Sequence, residues 1–169
     1  MFRKEKLTNK RFTGGERGFS MIEIAVVLLV IAIIAAFVVP QVITYMRMYK
    51  LGVASRNVAT ALQRARFLAT SDNRRAGINI LEVRRIDIEE YDPEGDKEPR
   101  IRGAVILPEG IVIADEAPRQ IAFDGRGVVT PLPKESPKIR INGPDGYYAI
   151  VSVSPTGHIT ISDPKRQDI

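Results

Sequence analysis

Three hydropathy patterns follow one another along the chain. An apolar run without a polar side chain covers residues 24–39, and an amphipathic stretch follows as far as residue 71. The remainder consists of short segments that alternate apolar and polar residues. These patterns are typical of a membrane helix, of a helix that covers a core and of β-strands, respectively. We therefore predict an α+β protein, with a long N-terminal helix packed on a C-terminal antiparallel β-rich domain.

The apolar run predicts a membrane-spanning helix. With its flanks it covers residues 19–43, and only four of these residues are polar or proline. A helix of this length extends about 37 Å, which exceeds the ~30 Å hydrocarbon core of a bilayer. The alternative is a buried core helix, but such a helix carries a polar stripe, and residues 24–39 have none.

Positive charge is concentrated before this segment. The whole chain has a formal charge of +5, yet residues 1–18 hold six basic and two acidic side chains. The other 151 residues hold 19 basic and 18 acidic ones. Short basic segments stay on the cytoplasmic side of membrane helices. We therefore expect a single-pass protein of the cell inner membrane, with a cytoplasmic N-terminus and a periplasmic C-terminal domain.

The small residue near the apolar run argues against an ordinary secretory signal. Such signals end in an A-x-A-like site, whereas this run ends in FVVPQ and the small residue, Gly18, precedes it. The segment ERG-FSMIEIAVVLLVIAIIAAFVVP resembles the type IV prepilin signal. Gly18 matches the residue before the cleaved bond, and Phe19 matches the first mature residue, which prepilin peptidase also N-methylates. Glu23 and Pro40 match the glutamate and the helix-loosening proline at the fifth and twenty-second mature positions.

The resemblance suggests a role for Glu23 in assembly. A carboxylate inside an apolar helix is costly and usually has a partner. In a pilin-like filament the helices bundle together, so Glu23 would pair with the N-terminal amine that cleavage creates on a neighbouring subunit. The alternative is a glutamate that lies near the lipid headgroups without a partner.

These observations divide the chain into a cleaved basic leader (1–18), a transmembrane helix (19–43), an amphipathic helix that continues into the soluble domain (44–73) and a β-rich periplasmic domain (74–169). The amphipathic segment carries an apolar stripe made of Leu51, Ala54, Val58, Ala61, Leu62, Ala65, Leu68 and Ala69. Its other faces carry basic residues, which we interpret as scattered solvated charges rather than a nucleic-acid surface. They are Arg47, Lys50, Arg56, Arg64, Arg66, Arg74 and Arg75.

Beyond residue 73 the period changes to two, and turn sequences such as DPEGD, DGRG, NGPDG and SPTG separate the alternating segments. Short connections favour antiparallel sheets, because parallel pairs need long crossovers. The predicted strands are Ile78–Val83, Ile86–Tyr91, Val105–Leu107, Ile111–Ile113, Gln120–Phe123, Gly127–Thr130, Lys138–Ile141, Tyr147–Val153 and His158–Ser162.

Composition leaves little room for catalysis. The chain has no Cys and one His, which excludes disulfides, thiolate nucleophiles and multi-His metal sites. We interpret His158 as a surface strand residue and Gly125-Arg126-Gly127 as a turn, because neither belongs to a catalytic or phosphate-binding motif. The acidic stretch 87–98 lacks the spacing of an EF-hand and predicts a solvated hairpin tip. We expect no enzyme activity, no catalytic residue, no metal site and no cofactor.

Three segments of the chain are similar to the minor-pilin and pseudopilin family that includes the general-secretion-pathway H protein and the pilus protein FimT. They are LQRARFLATSDN, with the pair Ala65-Arg66, PRQIAFDGRGVV, with the turn from Phe123 to Gly125, and YYAIVSVSPTGHITI, which turns at Gly157. The resemblance implies a structural subunit of a type II secretion pseudopilus or of a type IV pilus. Its implied partners are prepilin peptidase, other pilins or pseudopilins and the inner-membrane assembly platform.

A DNA-binding minor pilin for DNA uptake is the alternative function. Near-neutral charge after removal of the leader disfavours it, unless basic residues gather on one face. Binding to nucleic acid is therefore open but not favoured. The candidate residues for such a face are Arg126, Lys134, Lys138, Arg140, Lys165 and Arg166.

Overall fold

The computed structural model describes residues 18–92 and 98–167. The chain divides into two units, one that ends at Gln41 and one that begins at Val42. Apart from Gly18, the predicted leader lies outside the described residues, as do residues 93–97 of the predicted hairpin tip.

A single helix, α1, comprises Met21–Ser71 and contains Pro40 in its interior. It includes nearly all of the two predicted segments, 19–43 and 44–73, which are therefore parts of one element. A proline inside a helix removes one N–H group from the backbone ladder and loosens the helix locally. The sequence pattern thus predicted the helix correctly and placed its ends within two residues of the observed ones.

The end of α1 is set by a backbone cap. Asn73 adopts a left-handed conformation with a φ of 49°, which Asn tolerates better than most residues. The N–H of Arg74 then bonds back to the carbonyl of Ala69 at 3.1 Å. This bond pairs one of the carbonyls that every helix end leaves free, in the arrangement of a Schellman motif.

The predicted apolar stripe of α1 lies in the core of the second unit. Seven of its eight residues are fully buried, and Leu68 packs partly buried against the same core. The sheets contribute larger side chains, among them Phe123, Ile78 and Ile139. Removal of this apolar surface from water, at about 25 cal/mol per Å², holds the helix on the sheets.

In the described residues ten strands follow the helix, all paired antiparallel. In chain order they are β1 (Ala76–Glu82), β2 (Arg85–Glu90), β3 (Arg100–Ile106), β4 (Val112–Ile113), β5 (Gln120–Phe123), β6 (Val129–Thr130), β7 (Lys138–Asn142), β8 (Tyr147–Val153), β9 (Ile159–Ile161) and β10 (Lys165–Arg166). A 3₁₀ turn, Pro144–Gly146, joins β7 to β8.

The strands form two sheets. The first sheet has the order β3-β2-β1-β5-β6, and the second has the order β10-β8-β7-β4, with β9 also paired to β8. The fold is therefore the predicted α+β arrangement of a long N-terminal helix with antiparallel sheets. Every predicted strand overlaps an observed one.

Two strand predictions needed correction. β3 begins at Arg100, five residues before the predicted start. The pattern missed its first half because Ile101 is the one apolar side chain among its first four residues. β10 was not predicted, since it consists of only two charged residues after Pro164. Neither segment shows the apolar alternation on which strand prediction depends.

The interpretation of the acidic stretch as a solvated tip was wrong for its first part. Asp87, Glu89 and Glu90 lie in β2 and are 0%, 7% and 4% exposed. A buried carboxylate needs partners that satisfy its charge, and such partners can lie far away in the sequence. Residues 98 and beyond lead into β3.

Candidate assembly and binding surfaces

Gly18 and Phe19 lie just before the first turn of α1. Phe19 is 78% exposed. A Cβ added at Gly18 would meet no heavy atom within 4 Å. Within the described chain, packing therefore places no limit on the size of residue 18, and the backbone around it is open to a partner.

The first half of α1 is apolar on every side. Its large side chains are mostly about half exposed or more, as in Leu29 (62%) and Phe37 (74%). By length and composition, α1 is the one helix of the described residues able to cross a membrane. Such a surface requires lipid or other apolar helices as neighbours.

Glu23 is the acidic residue of the first turn of α1. A carboxylate at this position is stabilised by the positive end of the helix dipole. Among the described residues no cation forms an ion pair with it. Glu23 thus presents an unpaired carboxylate within an otherwise apolar surface.

Arg66 joins the helix to both sheets. Its Nε donates to the carbonyl of Gly127, in the turn between β5 and β6, at 3.1 Å, and its terminal nitrogen reaches the carbonyl of Thr156, in the turn between β8 and β9, at 3.5 Å. We call Arg66, Gly127, Thr156 and Gly157 the Arg66 junction. The N–H of Val129, at the start of β6, donates to the carbonyl of Pro155 at 3.0 Å and so links β6 directly to the β8–β9 turn.

Gly157 is required at this junction by both conformation and space. Its φ is +81°, and a Cβ there would lie 2.1 Å from the carbonyl oxygen of Gly127. Gly125 is similarly close to the helix end, where a Cβ would lie 2.2 Å from Oδ1 of Asn73. The three segments that resemble the pilin family therefore meet in space around the C-terminal end of α1.

The buried carboxylates of β2 are paired with arginines. Glu90 accepts from Arg102 at 2.6 Å and from Arg74 at 3.5 Å. Asp87 accepts from Arg85 at 2.9 Å. The hydrogen bond to Asp87, followed by its charge, raises the pKa of Arg85 above its ordinary value.

A polar network lies beside these pairs on the first sheet. Tyr91 donates to Glu89 at 3.0 Å, and Asn79 donates to the other oxygen of Glu89 at 2.9 Å. Gln120 donates to the Tyr91 hydroxyl, and Arg75 lies 5.0 Å from the ring centroid. Burial, followed by the hydrogen bond to Glu89, raises the pKa of Tyr91 to about 12. All of these groups are partnered, so the network is a structural one.

Three of the six candidate DNA-binding residues share one face of the second sheet. Lys165 lies directly opposite Tyr148, and Arg140 lies diagonal to it, with its guanidinium carbon 4.2 Å from the ring centroid. Lys138 is two residues from Arg140 on the same strand and therefore on the same face. We call Lys138, Arg140, Lys165 and Tyr148 the basic face. The described strands of this sheet contain no carboxylate.

The other three candidates lie elsewhere. Arg166 is 6.0 Å from the ring of Tyr147 and points away from the basic face, because successive strand residues alternate sides. Lys134 is exposed in the loop between β6 and β7. Arg126 lies in the β5–β6 turn of the first sheet and forms a salt bridge with Asp124 at 2.9 Å.

Asp124 organises that turn. Its Oδ1 accepts from the N–H groups of Arg126 at 2.9 Å and Val128 at 3.0 Å. The hydrogen bond from Val128 is the main cause that lowers the pKa of Asp124 below its ordinary value of 3.8, and Arg126 adds to it while partial burial opposes it. The interpretation of residues 125–127 as a turn is confirmed, with Gly127 at a φ of +75°.

The described residues show no group of three or more potential metal ligands. His158 is exposed directly before β9, and its N–H donates to the Ser154 hydroxyl at 2.9 Å. The predicted surface position of His158 is confirmed, but its assignment to a strand was wrong, because β9 begins one residue later, at Ile159.

The fold was compared with known proteins. No protein-family model and no curated protein sequence matches the chain. Among the solved structures that resemble it are a minor pilin and a minor pseudopilin. The type IV minor pilin FimU of Pseudomonas aeruginosa has a TM-score of 0.56 at 19% identity, over 70% of this chain and 92% of that one. The minor pseudopilin EpsH of the Vibrio cholerae type 2 secretion system has a TM-score of 0.52 at 16% identity, over 68% and 97%. The chain thus has the fold of minor pilins and minor pseudopilins.

Proposed function

We propose that this chain is a minor pilin or pseudopilin, a structural subunit that is anchored in the cell inner membrane by α1 and enters a type IV pilus or a type II secretion pseudopilus. Its partners are other pilins or pseudopilins and the assembly platform of the inner membrane. The observation that carries the proposal is the combination of the minor-pilin fold with an exposed apolar half-helix that bears Glu23 and Pro40.

Processing by prepilin peptidase between Gly18 and Phe19 belongs to this proposal. The open space around Gly18 supports it, because within the described residues no contact requires a small residue there. A glycine at this position would then serve the enzyme, which must fit this residue beside the cleaved bond. Removal of residues 1–18 would free the amine of Phe19 for a neighbour's Glu23.

Mass spectrometry of the membrane-extracted protein tests this proposal. We expect a chain that begins at Phe19 and carries one N-methyl group. Gly18→Phe should leave the precursor uncut, whereas Ser20→Ala, a substitution on the other side of the bond that introduces no bulk, should be processed normally. A mature chain that begins after Pro40 would instead indicate an ordinary secretory signal.

The basic face supports a second candidate function, DNA binding. It combines three cations with an aromatic ring and has no carboxylate in its described strands. Cations bind phosphates, and tyrosine provides a surface on which a base can stack. Because three of the proposed residues share this face, near-neutral net charge alone does not exclude local binding.

Binding of the full chain in detergent to a short DNA, measured against salt concentration, tests the second candidate. A triple variant of Lys138, Arg140 and Lys165 to Gln should reduce the slope of log K against log salt by about 2–3, since each phosphate contact contributes about 0.7–0.9. Arg126→Gln is the control, because it removes an exposed cation away from this face. Equal losses in the two variants, or no measurable binding at low salt, would exclude DNA binding by the basic face.

A further inference from the structure

Among the described residues, the first sheet ends in a long strand, β3, with one unpaired edge. Of the strands at sheet edges in the described residues, β3 has seven residues, whereas β4, β6 and β10 have two and β9 has three. An edge strand presents a row of backbone N–H and C=O groups that can pair with another chain. β3 is therefore the place where this unit can accept an additional strand.

The backbone pairing shows which groups of β3 point outward. The N–H of Leu107 donates to the carbonyl of Arg84 at 2.8 Å, and the register continues with Val105 opposite Ile86. Hydrogen-bonded pairs alternate along an antiparallel ladder, so the N–H and C=O groups of Ala104 and Ile106 face away from β2. In the described part of the chain no backbone hydrogen bond from another element reaches these groups.

One side of β3 is apolar and exposed. Ile101 lies opposite Glu89, and Ile106 lies opposite Arg85, on the face of the sheet that does not contact the core. Their exposed fractions are 59% and 70%. A strand added beside β3 would cover both side chains with its own apolar residues.

The other side of β3 is cationic. The guanidinium of Arg64, on α1, lies 4.0 Å from the position of a Cβ at Gly103, and Arg100 lies opposite Glu90. Glu90 is buried between Arg74 and Arg102, and no other described carboxylate forms an ion pair with Arg64 or Arg100. Two arginines without a described ion pair therefore lie on this side, and Arg100 shares a cleft with Asp92 and Glu98.

We infer that β3 accepts an extended segment of a neighbouring polypeptide whose residues alternate between apolar and acidic. The apolar residues would cover Ile101 and Ile106, and the carboxylates would meet Arg64 and Arg100. Strand addition of this kind takes affinity from backbone bonds and specificity from the alternate side chains. The neighbour is a filament subunit only if the function proposed above is correct.

A second copy of this chain fits the edge less well than an acidic strand. Two β3 strands side by side would bring Arg100 and Arg102 of both copies to one ladder, and like charges in a ladder are unfavourable. Arg102 is also an extra residue in β3, because Ile88 pairs with Gly103 and Glu89 pairs with Ile101. In a pair of two β3 strands this irregularity would be present on both sides of the ladder.

The test uses the full chain in detergent and a seven-residue peptide in which Glu and Val alternate. We expect this peptide to bind and to slow amide hydrogen exchange of Ala104 and Ile106 at least tenfold. Exchange of Val105, whose N–H faces β2, should change little. A peptide of the same composition with its Glu and Val residues in separate blocks should bind at least tenfold more weakly.

Three variants sharpen the experiment. Ala104→Pro removes an outward N–H without removing a bond to β2 and should abolish binding. Arg100→Glu should weaken binding at least fivefold, while Arg119→Glu, at an exposed arginine before β5, should leave it unchanged. If Ala104→Pro fails to fold, comparison of peptide binding by Arg100→Glu and Arg119→Glu still tests the inference.

The inference would be overturned by equal binding of both peptides, or by binding that leaves the exchange of Ala104 and Ile106 unchanged. It would also be overturned if protection of these amides rose with protein concentration in the absence of peptide, because that result would indicate pairing with a second copy. Filament entry is measured separately, by copurification with the filament. A chain that binds the peptide but never enters a filament would contradict the proposed function alone, and a chain that enters filaments without peptide binding would contradict the strand-acceptor role alone.

Discussion

Gly157 and Gly110 have the same backbone conformation, with φ at +81°, but different surroundings. A Cβ at Gly157 would collide with the carbonyl oxygen of Gly127, whereas a Cβ at Gly110 would meet nothing within 4 Å. The pair therefore separates two costs at the scale of one residue, the strain of a left-handed conformation and the loss of a close backbone approach.

We expect Gly110→Ala to destabilise the second unit by about 1 kcal/mol, the cost of an ordinary residue in the left-handed region. Gly157→Ala should cost about 2 kcal/mol more, because the two turns of the Arg66 junction must also move apart. Denaturant unfolding of the full chain in detergent, followed by tyrosine fluorescence, measures both. Equal losses would show that the junction is not tightly packed.

Asp124 gives the β5–β6 turn a dependence on pH. Its pKa is lower in the folded chain than its ordinary value of 3.8. Its charged form therefore stabilises the fold above about pH 4, and this contribution is lost as pH falls through the lowered pKa. We expect the stability difference between the wild type and Asp124→Asn to be constant from pH 5 to 7 and to shrink below pH 4.

The matched control for that measurement is Asp115→Asn, at an exposed carboxylate without a hydrogen bond to backbone N–H groups in the described residues. Its stability difference from the wild type should stay small over the whole range. A difference for Asp124→Asn that persists unchanged at pH 2 would mean that the charge of Asp124 does not stabilise the turn.

At the scale of elements, α1 carries the strongest prediction about assembly. We expect Glu23→Ala to leave cleavage and membrane insertion intact, since removal of a carboxylate from an apolar helix favours residence in lipid. Entry into the filament should fail, because an N-terminal amine of a neighbour would remain unpaired in an apolar setting, at a cost of several kcal/mol. Glu23→Asp retains the charge and should therefore enter the filament in part.

The measurement is a comparison of cleavage, membrane fraction and copurification with the major filament subunit for the wild type and both variants. Normal incorporation of Glu23→Ala would show that this carboxylate is dispensable for the chain. That result would suit a subunit at the tip, which has no subunit ahead of it to pair with.

Periodicity explains why some elements were predictable and others were not. The stripe of α1 and the strands β1, β2, β7 and β8 repeat apolar residues with the period of their own structure, and the burial of those apolar residues follows from that pattern. β10 has no apolar residue, and β3 places arginines at alternate positions. Their pairing depends on neighbouring strands, which a local pattern does not contain.

The prediction that the carboxylates of β2 are exposed to solvent was wrong for a related reason. Local composition between residues 87 and 98 is acidic and indicates solvent exposure. Glu90 is nevertheless buried, because Arg74 lies 16 positions before it and Arg102 lies 12 positions after it. Ion pairs at such separations become visible only when the strands are in register. Two of the basic residues that we interpreted as scattered, Arg66 in α1 and Arg74 just after it, likewise have partners far along the chain.

At the scale of the whole molecule, the sequence identified the candidate basic residues but not their arrangement. The alternation of β7 is sufficient to place Lys138 and Arg140 on one face. The short NGPDG turn fixes the register that brings Tyr148 of β8 to the same face. Lys165 joins them only through β10, the strand that was not predicted. Arg126 and Lys134 were candidates on the same ground, their positive charge, but they do not lie on the basic face.

The Arg66 junction also determines when, during synthesis of the chain, the C-terminal end of α1 can form its contacts with the sheets. The carbonyl groups that receive Arg66 are 61 and 90 residues further along the chain. At about 5–20 residues per second, a ribosome needs roughly 5–18 seconds to deliver the second of them. For that interval α1 exists without the turns that hold its C-terminal end. Protection of the nascent helix from non-native contacts is therefore needed until the β8–β9 turn has been synthesised.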